Sequence, residues 1–322
     1  MDRRHFLSAA SGATLGTALA ATAGSALASA PRIGADTITD LRAGLASLYG
    51  LDDRFGGATV GPLAAAHLSR IERLIASGNY PETIGRQLRL VSGETAEHVG
   101  WLAFDEGDHA RAHTYWGKAM ERAEELRDDS LAVVVLASQS LLALRQQDPR
   151  SALDQAGRAY DLAEPWAPPS LLSILVTRQA RALAILDDHT TARQTLSQAA
   201  RLYEQDQGSR PAPDWTLFHG PAEIATAQAE LFSQAGHHRA AVTWLRRSLE
   251  RQEATYARNE ALGRGNLANA LIDAGEREEA AHHIVHGEAL LTEVSSGRAR
   301  DLLGTARQAL TAADPATLPP IT

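Results

Sequence analysis

The side chains able to do chemistry in this 322-residue chain are carboxylates, guanidiniums and twelve histidines, with no cysteine and a single lysine, Lys118. Without a thiol there is no disulfide, no thiol catalysis and no thiolate metal site. His282 and His286 lie four apart on one helix face, the spacing of two metal ligands, with Glu278, Glu279 and Glu288 near them in sequence. A solvated outer face of a helix explains the same pattern and outweighs it. His237-His238 fits a turn. Glu97-His98 offers an acid and a base, but no third group orients them. The chain has no Gly-x-Gly-x-x-Gly after a strand, no Gly-Lys-Ser/Thr and no His-Glu-x-x-His, and Gly263-Arg-Gly265 sits inside a helical pattern. These residues point to binding without catalysis, metal or cofactor.

The elements that must position any binding residue are helices. Hydrophobic residues make up 44% of the chain and aromatics 5%, and alanine, the best helix former, supplies much of the apolar count. Alternating strand patterns bounded by turns are nearly absent. The formal net charge is −8 and the arginines are interleaved with acids, which argues against direct nucleic-acid binding.

A frame repeats along the chain. Around each of Gly107, Gln147, Asp187, Gly236 and Gly275, a small residue falls seven before, five after and twelve after. The sets are Gly100, Ala112 and Ala119; Ser140, Ala152 and Ala159; Ala180, Ala192 and Ala199; Ala229, Ala241 and Ser248; Ala268, Ala280 and Gly287. Two antiparallel helices joined by a tight turn approach closely only where side chains are short. The frame therefore predicts an all-α solenoid of antiparallel helix pairs, about five repeats plus capping helices, with pairs at roughly 88–127, 129–164, 169–206, 219–253 and 256–295. Residues 36–87 are expected to cap the array through helices at 38–49 and 61–78, joined by Leu51-Asp-Asp-Arg-Phe-Gly-Gly57. The array itself spans 88–313, ending in a closing helix at 297–313, and 314–322 reads as a flexible tail. The small–turn–small pattern resembles tetratricopeptide repeats (TPR), although the spacing of 39 or 40 between most repeats exceeds the usual ~34.

In such an array the first helix of each pair lines the concave surface. Counting in the frame, the groove receives Glu94, Glu97 and Trp101, then Ala137, Ser138 and Leu141, then Thr177, Arg178 and Arg181. Glu223, Thr226 and Glu230 follow, with Asn266 and Asn269 from the last pair. Acids, two arginines, two amides and a tryptophan suit a peptide, a protein partner or a small polar signal. Arginines paired with nearby acids and left solvated are the alternative reading.

Asp2-Arg-Arg-His-Phe-Leu7, Leu51-Asp-Asp-Arg-Phe-Gly-Gly57 and Gly100-Trp-Leu-Ala-Phe-Asp-Glu-Gly-Asp-His109 together resemble the TPR regulators of actinobacteria, especially streptomycetes. In that family a Cro-type helix-turn-helix domain usually precedes the array, and none lies ahead of Arg3. The resemblance implies transcriptional regulation through a bound partner or signal, in the cytoplasm, without a DNA-binding domain in this chain. A second reading rests on residues 1–30 alone. Arg3-Arg4 followed by Phe6-Leu7, a weakly apolar run and Ala26-Leu27-Ala28 has the pattern of a Tat export signal. On that reading 1–35 is a signal-like segment and the protein an exported binding protein; on the first, 1–35 is a linker. A homo-oligomeric scaffold is the third reading.

Overall fold

The structure, a computed structural model, describes residues 33–206, 208, 210–251 and 257–313. The signal-like or linker segment and the tail expected at 314–322 therefore lie outside the described residues, apart from 33–35. Thirteen α-helices form among the described residues: α1 (Ala35–Phe55), α2 (Gly57–Ser77), α3 (Glu82–Asp105), α4 (His109–Leu126), α5 (Asp129–Arg145), α6 (Pro149–Ala163) and α7 (Pro169–Ile185). Then come α8 (His189–Gln205), α9 (Pro221–Gln234), α10 (His238–Glu250), α11 (Ala257–Ala274), α12 (Arg277–Leu290) and α13 (Gly297–Ala313). The fold is all-α, an α-solenoid in which α3/α4, α5/α6, α7/α8, α9/α10 and α11/α12 pack as pairs. No described helix is long and apolar enough to cross a membrane.

One turn design makes the pairs. Gly107, Gln147, Asp187, Gly236 and Gly275 all have left-handed backbone, with φ between 59° and 85°. After α3, the Gly107 amide donates to Phe104 O and the Asp108 amide to Ala103 O, the two bonds that cap a helix's last carbonyls. The same two bonds recur at Gln147, Asp187, Gly236 and Gly275. The next residue then starts the second helix. Asp108, Asp148 and Asp188 each accept a backbone N–H three residues on, from Arg111, Ser151 and Thr191. His237 and Glu276 hold that place in the last two pairs and make no such side-chain cap.

Small residues then let the helices touch. Ala112, Ala119, Ala152, Ala159, Ala192, Ala199, Ala241 and Ala280 are wholly buried. A Cβ on Gly100 would stand 2.5 Å from the Trp116 ring, so the indole fills the space that a side chain would need. Ser140 and Ser173 spend their hydroxyls on carbonyls of the facing helix, Ala152 O at 2.8 Å and Ala199 O at 2.7 Å.

The amino-terminal boundaries differ from the expected ones. Leu51–Phe55 continues α1 instead of looping, and only Gly56, with φ 80°, separates it from α2. The continued helix delivers Asp52 to Arg258 of α11, 206 positions along the chain, at 2.7 Å. The first pair starts at Glu82, not 88, because Pro81 sets an extended backbone just ahead of it.

That Asp52–Arg258 contact belongs to a seam where the carboxy-terminal helices meet the first ones. The Ser295 amide donates to Phe55 O at 3.0 Å, and the Ala58 amide donates to Ser295 Oγ at 3.1 Å. Asp105, at the end of α3 and fully buried, stands 2.7 Å from Arg298 of α13 and 3.8 Å from Arg258. The carboxy-terminal helices thus close onto the first ones.

Candidate ligand groove

The charged side chains of the concave helices converge. Arg178 of α7 feels the like charges of Arg181 and Arg298 and the opposite charges of Glu223 and Glu97, so α3, α7, α9 and α13 all act on it. It is only 6% exposed, and its Nη1 is buried with no hydrogen-bond partner. Burial first, then Arg181, holds its pKa down to about 9, so the guanidinium stays charged at neutral pH.

Arg181, one turn on, is the opposite case. Its Nε lies 2.7 Å from Glu230 and its Nη2 3.3 Å from Glu223. Burial works against its charge, yet Glu230 and Glu223 outweigh it and the pKa rises. The Glu223 and Glu230 side chains are 36% and 43% exposed, which marks where solvent reaches the cluster.

Glu97 faces Arg178 from α3. It is 8% exposed; one carboxylate oxygen accepts from Ser138 Oγ at 2.9 Å, and its backbone carbonyl accepts from Trp116 Nε1 at 3.1 Å. Burial pushes its carboxyl up to about 7. Glu94 is drawn instead to Arg42 of α1 at 3.8 Å. Trp101 lies half-buried beneath the Arg298 guanidinium, 5.1 Å from ring centre to carbon. Asn266 is half-buried on α11.

Two expectations need correction. Glu97 and Arg178 are buried and not solvated, and Arg298 of α13 enters beside them over the Trp101 ring. Asn269 is no groove amide. Its Nδ2 donates to Gly265 O at 2.8 Å and to Leu302 O at 3.0 Å, which ties α11 to α13.

Several groups in and around the cluster lie outside the counted positions. Arg298 enters from the closing helix, and His219 from the loop before α9, where Ser173 holds it at 2.8 Å. Burial lowers the His219 pKa to about 4. Tyr49 of α1 sits 4.3 Å from the His98 ring, and burial, followed by Glu97, Glu94 and Asp214, raises its pKa. His98 is buried with Nε2 unpartnered, its pKa lowered to about 3 by burial and then by Arg258. A repeat frame cannot reach Arg298, Tyr49 or His219, since each comes from a cap or an insertion. His98 was visible in the sequence only as a neighbour of Glu97.

The outer histidines show no comparable convergence. His282 and His286 are exposed with ring centres 6.2 Å apart, and His283 packs on Arg264 at 3.1 Å, a cation that repels a metal. Among the described residues no group of three His, Cys, Asp or Glu could hold a metal ion.

No family model matches the sequence, and no curated protein matches it. Among solved structures, the chain is similar to the crystal structure of BtubC (BKLC) from P. vanneervenii, with a TM-score of 0.47 at 15% identity over 78% of this chain and 91% of that one. At that TM-score the likeness carries no argument.

Proposed function

We propose that this chain is a TPR-type regulatory protein that binds a partner or small signal in its concave groove and acts in the cytoplasm on gene expression through a protein partner. One observation carries the binding part: a charged arginine, Arg178, is buried in the concave cluster without a partner for Nη1. Burying an unpaired charge is costly, and folds retain such groups where a bound molecule completes them. The regulatory part rests on the resemblance to actinobacterial TPR regulators at Leu51–Gly57 and Gly100–His109. Catalysis has no support, since the buried acid Glu97 is taken up by Ser138 and its neighbour His98 packs on Tyr49, so the two do not act on a common group.

The test is capture from a native lysate by wild type, Trp101→Ala and Arg181→Ala, with His286→Ala on the outer face as control. Each groove variant is expected to lose a specific partner by about tenfold or more, the range for losing an anchor or a charged hydrogen bond. Equal capture by all four proteins would remove the groove reading and leave an oligomeric scaffold as the better one.

A further inference from the structure

Two arginines are buried among the described residues, Arg178 and Arg258. Arg258 has Asp52 at 2.7 Å. The half-buried arginines of the interior are matched as well, Arg298 with Asp105 and Arg181 with Glu230, each at 2.7 Å. Arg178 has no such ion pair, and the acids near it are already committed. Glu223 serves Arg181, and Glu97 accepts from Ser138. Burial pushes the Glu97 carboxyl up, which weakens it as a counter-charge for Arg178.

We propose that Arg178 anchors a single carboxylate group on a ligand that enters the concave interior, with the apolar remainder of that ligand lying toward Trp101 and Leu141. This rests on the groove reading above and names the chemistry its ligand must carry. A monoanion fits the cluster: Arg178 is one guanidinium without an ion pair, and a phosphate dianion would bring a second negative charge beside Glu97, Glu223 and Glu230. Geometry selects a carboxylate, since a guanidinium offers planar, paired donors that fit its two oxygens. Trp101 and Leu141 occupy the same repeat position as Arg181, and both are partly buried against the hydrophobic cluster of the first repeats.

A free carboxylic acid and the carboxyl terminus of a peptide share this chemistry. The experiment uses the full chain and four probes at matched ionic strength: hexanoate, hexanamide, and a tetrapeptide ending in leucine with a free or an amidated carboxyl terminus. Thermal shift and calorimetric titration are run on wild type, Arg178→Met, Arg178→Lys and His286→Ala. Wild type and His286→Ala are expected to bind hexanoate or the free-carboxyl peptide and to ignore both amides. Arg178→Met is expected to bind about tenfold to hundredfold more weakly, the loss of a charged hydrogen bond, with Arg178→Lys between. Binding of hexanoate alone identifies a free acid, and binding of the peptide alone identifies a chain terminus. The ligand-free Arg178→Met protein is expected to melt at or above wild type, because a buried guanidinium without an ion pair has been removed. Binding of the amides as tightly as the acids, or equal binding by Arg178→Met, overturns the proposal. So does a failure of both acids to bind wild type, and that result leaves the groove reading to the lysate experiment, which does not depend on these probes.

Discussion

Arg258 and Arg178 are buried to nearly the same degree, yet their surroundings are built to opposite ends. Arg258 sits at the seam between the two ends of the array, where Asp52 meets it at 2.7 Å and Asp105 at 3.8 Å. Burial opposes its charge there, and Asp52 and Asp105 outweigh burial, so its pKa rises. Arg178 sits on the concave face of the third pair, where burial and Arg181 lower its pKa to about 9. The seam pairs its buried arginine directly, and the groove holds one without an ion pair. The contrast separates a buried charge that closes a structure from one that awaits a ligand.

The largest expected effect lies at the seam. Arg258→Met strands Asp52 in the interior while Asp105 keeps Arg298, and breaking a buried pair on one side destabilises by about 3–5 kcal/mol. Urea unfolding measures it. Arg178→Met, the same chemical change at a comparably buried site, is expected to leave stability unchanged or higher. If both variants lost the same stability, the distinction between the two arginines would collapse.

Acid titration of stability comes next, and it reads both regions. His98, beside the seam, is lowered to about 3, and His219, in the groove, to about 4, burial being the first cause for both. A histidine depressed in the folded state binds fewer protons there than when unfolded, so stability rises with pH up to about 6.5. Its contribution is present above the unfolded value and is lost as pH falls through 4 and then 3. Glu97 has the opposite sign: raised to about 7, it favours the folded state at low pH and loses that contribution as pH climbs from 4.5 to 7. Unfolding curves between pH 4 and 8 should therefore weaken on the acid side. In Arg258→Met the His98 share shrinks, because Arg258 is its second cause of depression. An acid limb equally steep in that variant would detach His98 from the seam.

The repeat scaffold was legible in the sequence because its chemistry is local. A left-handed turn residue, the residue after it and small residues at fixed offsets lie within one helix pair, so Gly107, Asp108 and Ala112 can be read together. The seam was not legible, since Asp52 and Arg258 are 206 positions apart and neither breaks a local pattern. The cluster falls between these cases. Counting placed Glu97, Arg178, Arg181, Glu223 and Glu230 on one side of successive helices, but which arginine lacks a partner depends on α13 and Arg298. Asn269 shows the same limit, for its frame position is regular and its bond to Leu302 comes from the closing helix.

The smallest expected effect concerns the turns, which supply a third kind of local cost and a control for the other two. Gln147 and Asp187 hold left-handed backbone with φ of 59° and 67°, positions that glycine fills in three of the five repeats. A side chain there costs roughly 1–2 kcal/mol through its Cβ, while glycine gives back part of that in a more flexible unfolded chain. Gln147→Gly is therefore expected to stabilise by up to about 1 kcal/mol in guanidinium chloride unfolding. Asp187→Gly should gain less, because it also removes the 2.9 Å contact between Asp187 and His189. Neither turn touches the concave cluster, so carboxylate affinity should stay at the wild-type level in both. That separates two ways of gaining stability. Relieving turn strain leaves binding intact, whereas relieving the buried charge of Arg178 weakens it about tenfold to hundredfold. A Gln147→Gly protein less stable than wild type would mean that the turn's geometry is not strained, and one that lost carboxylate binding would mean that the turns and the groove are coupled through the array.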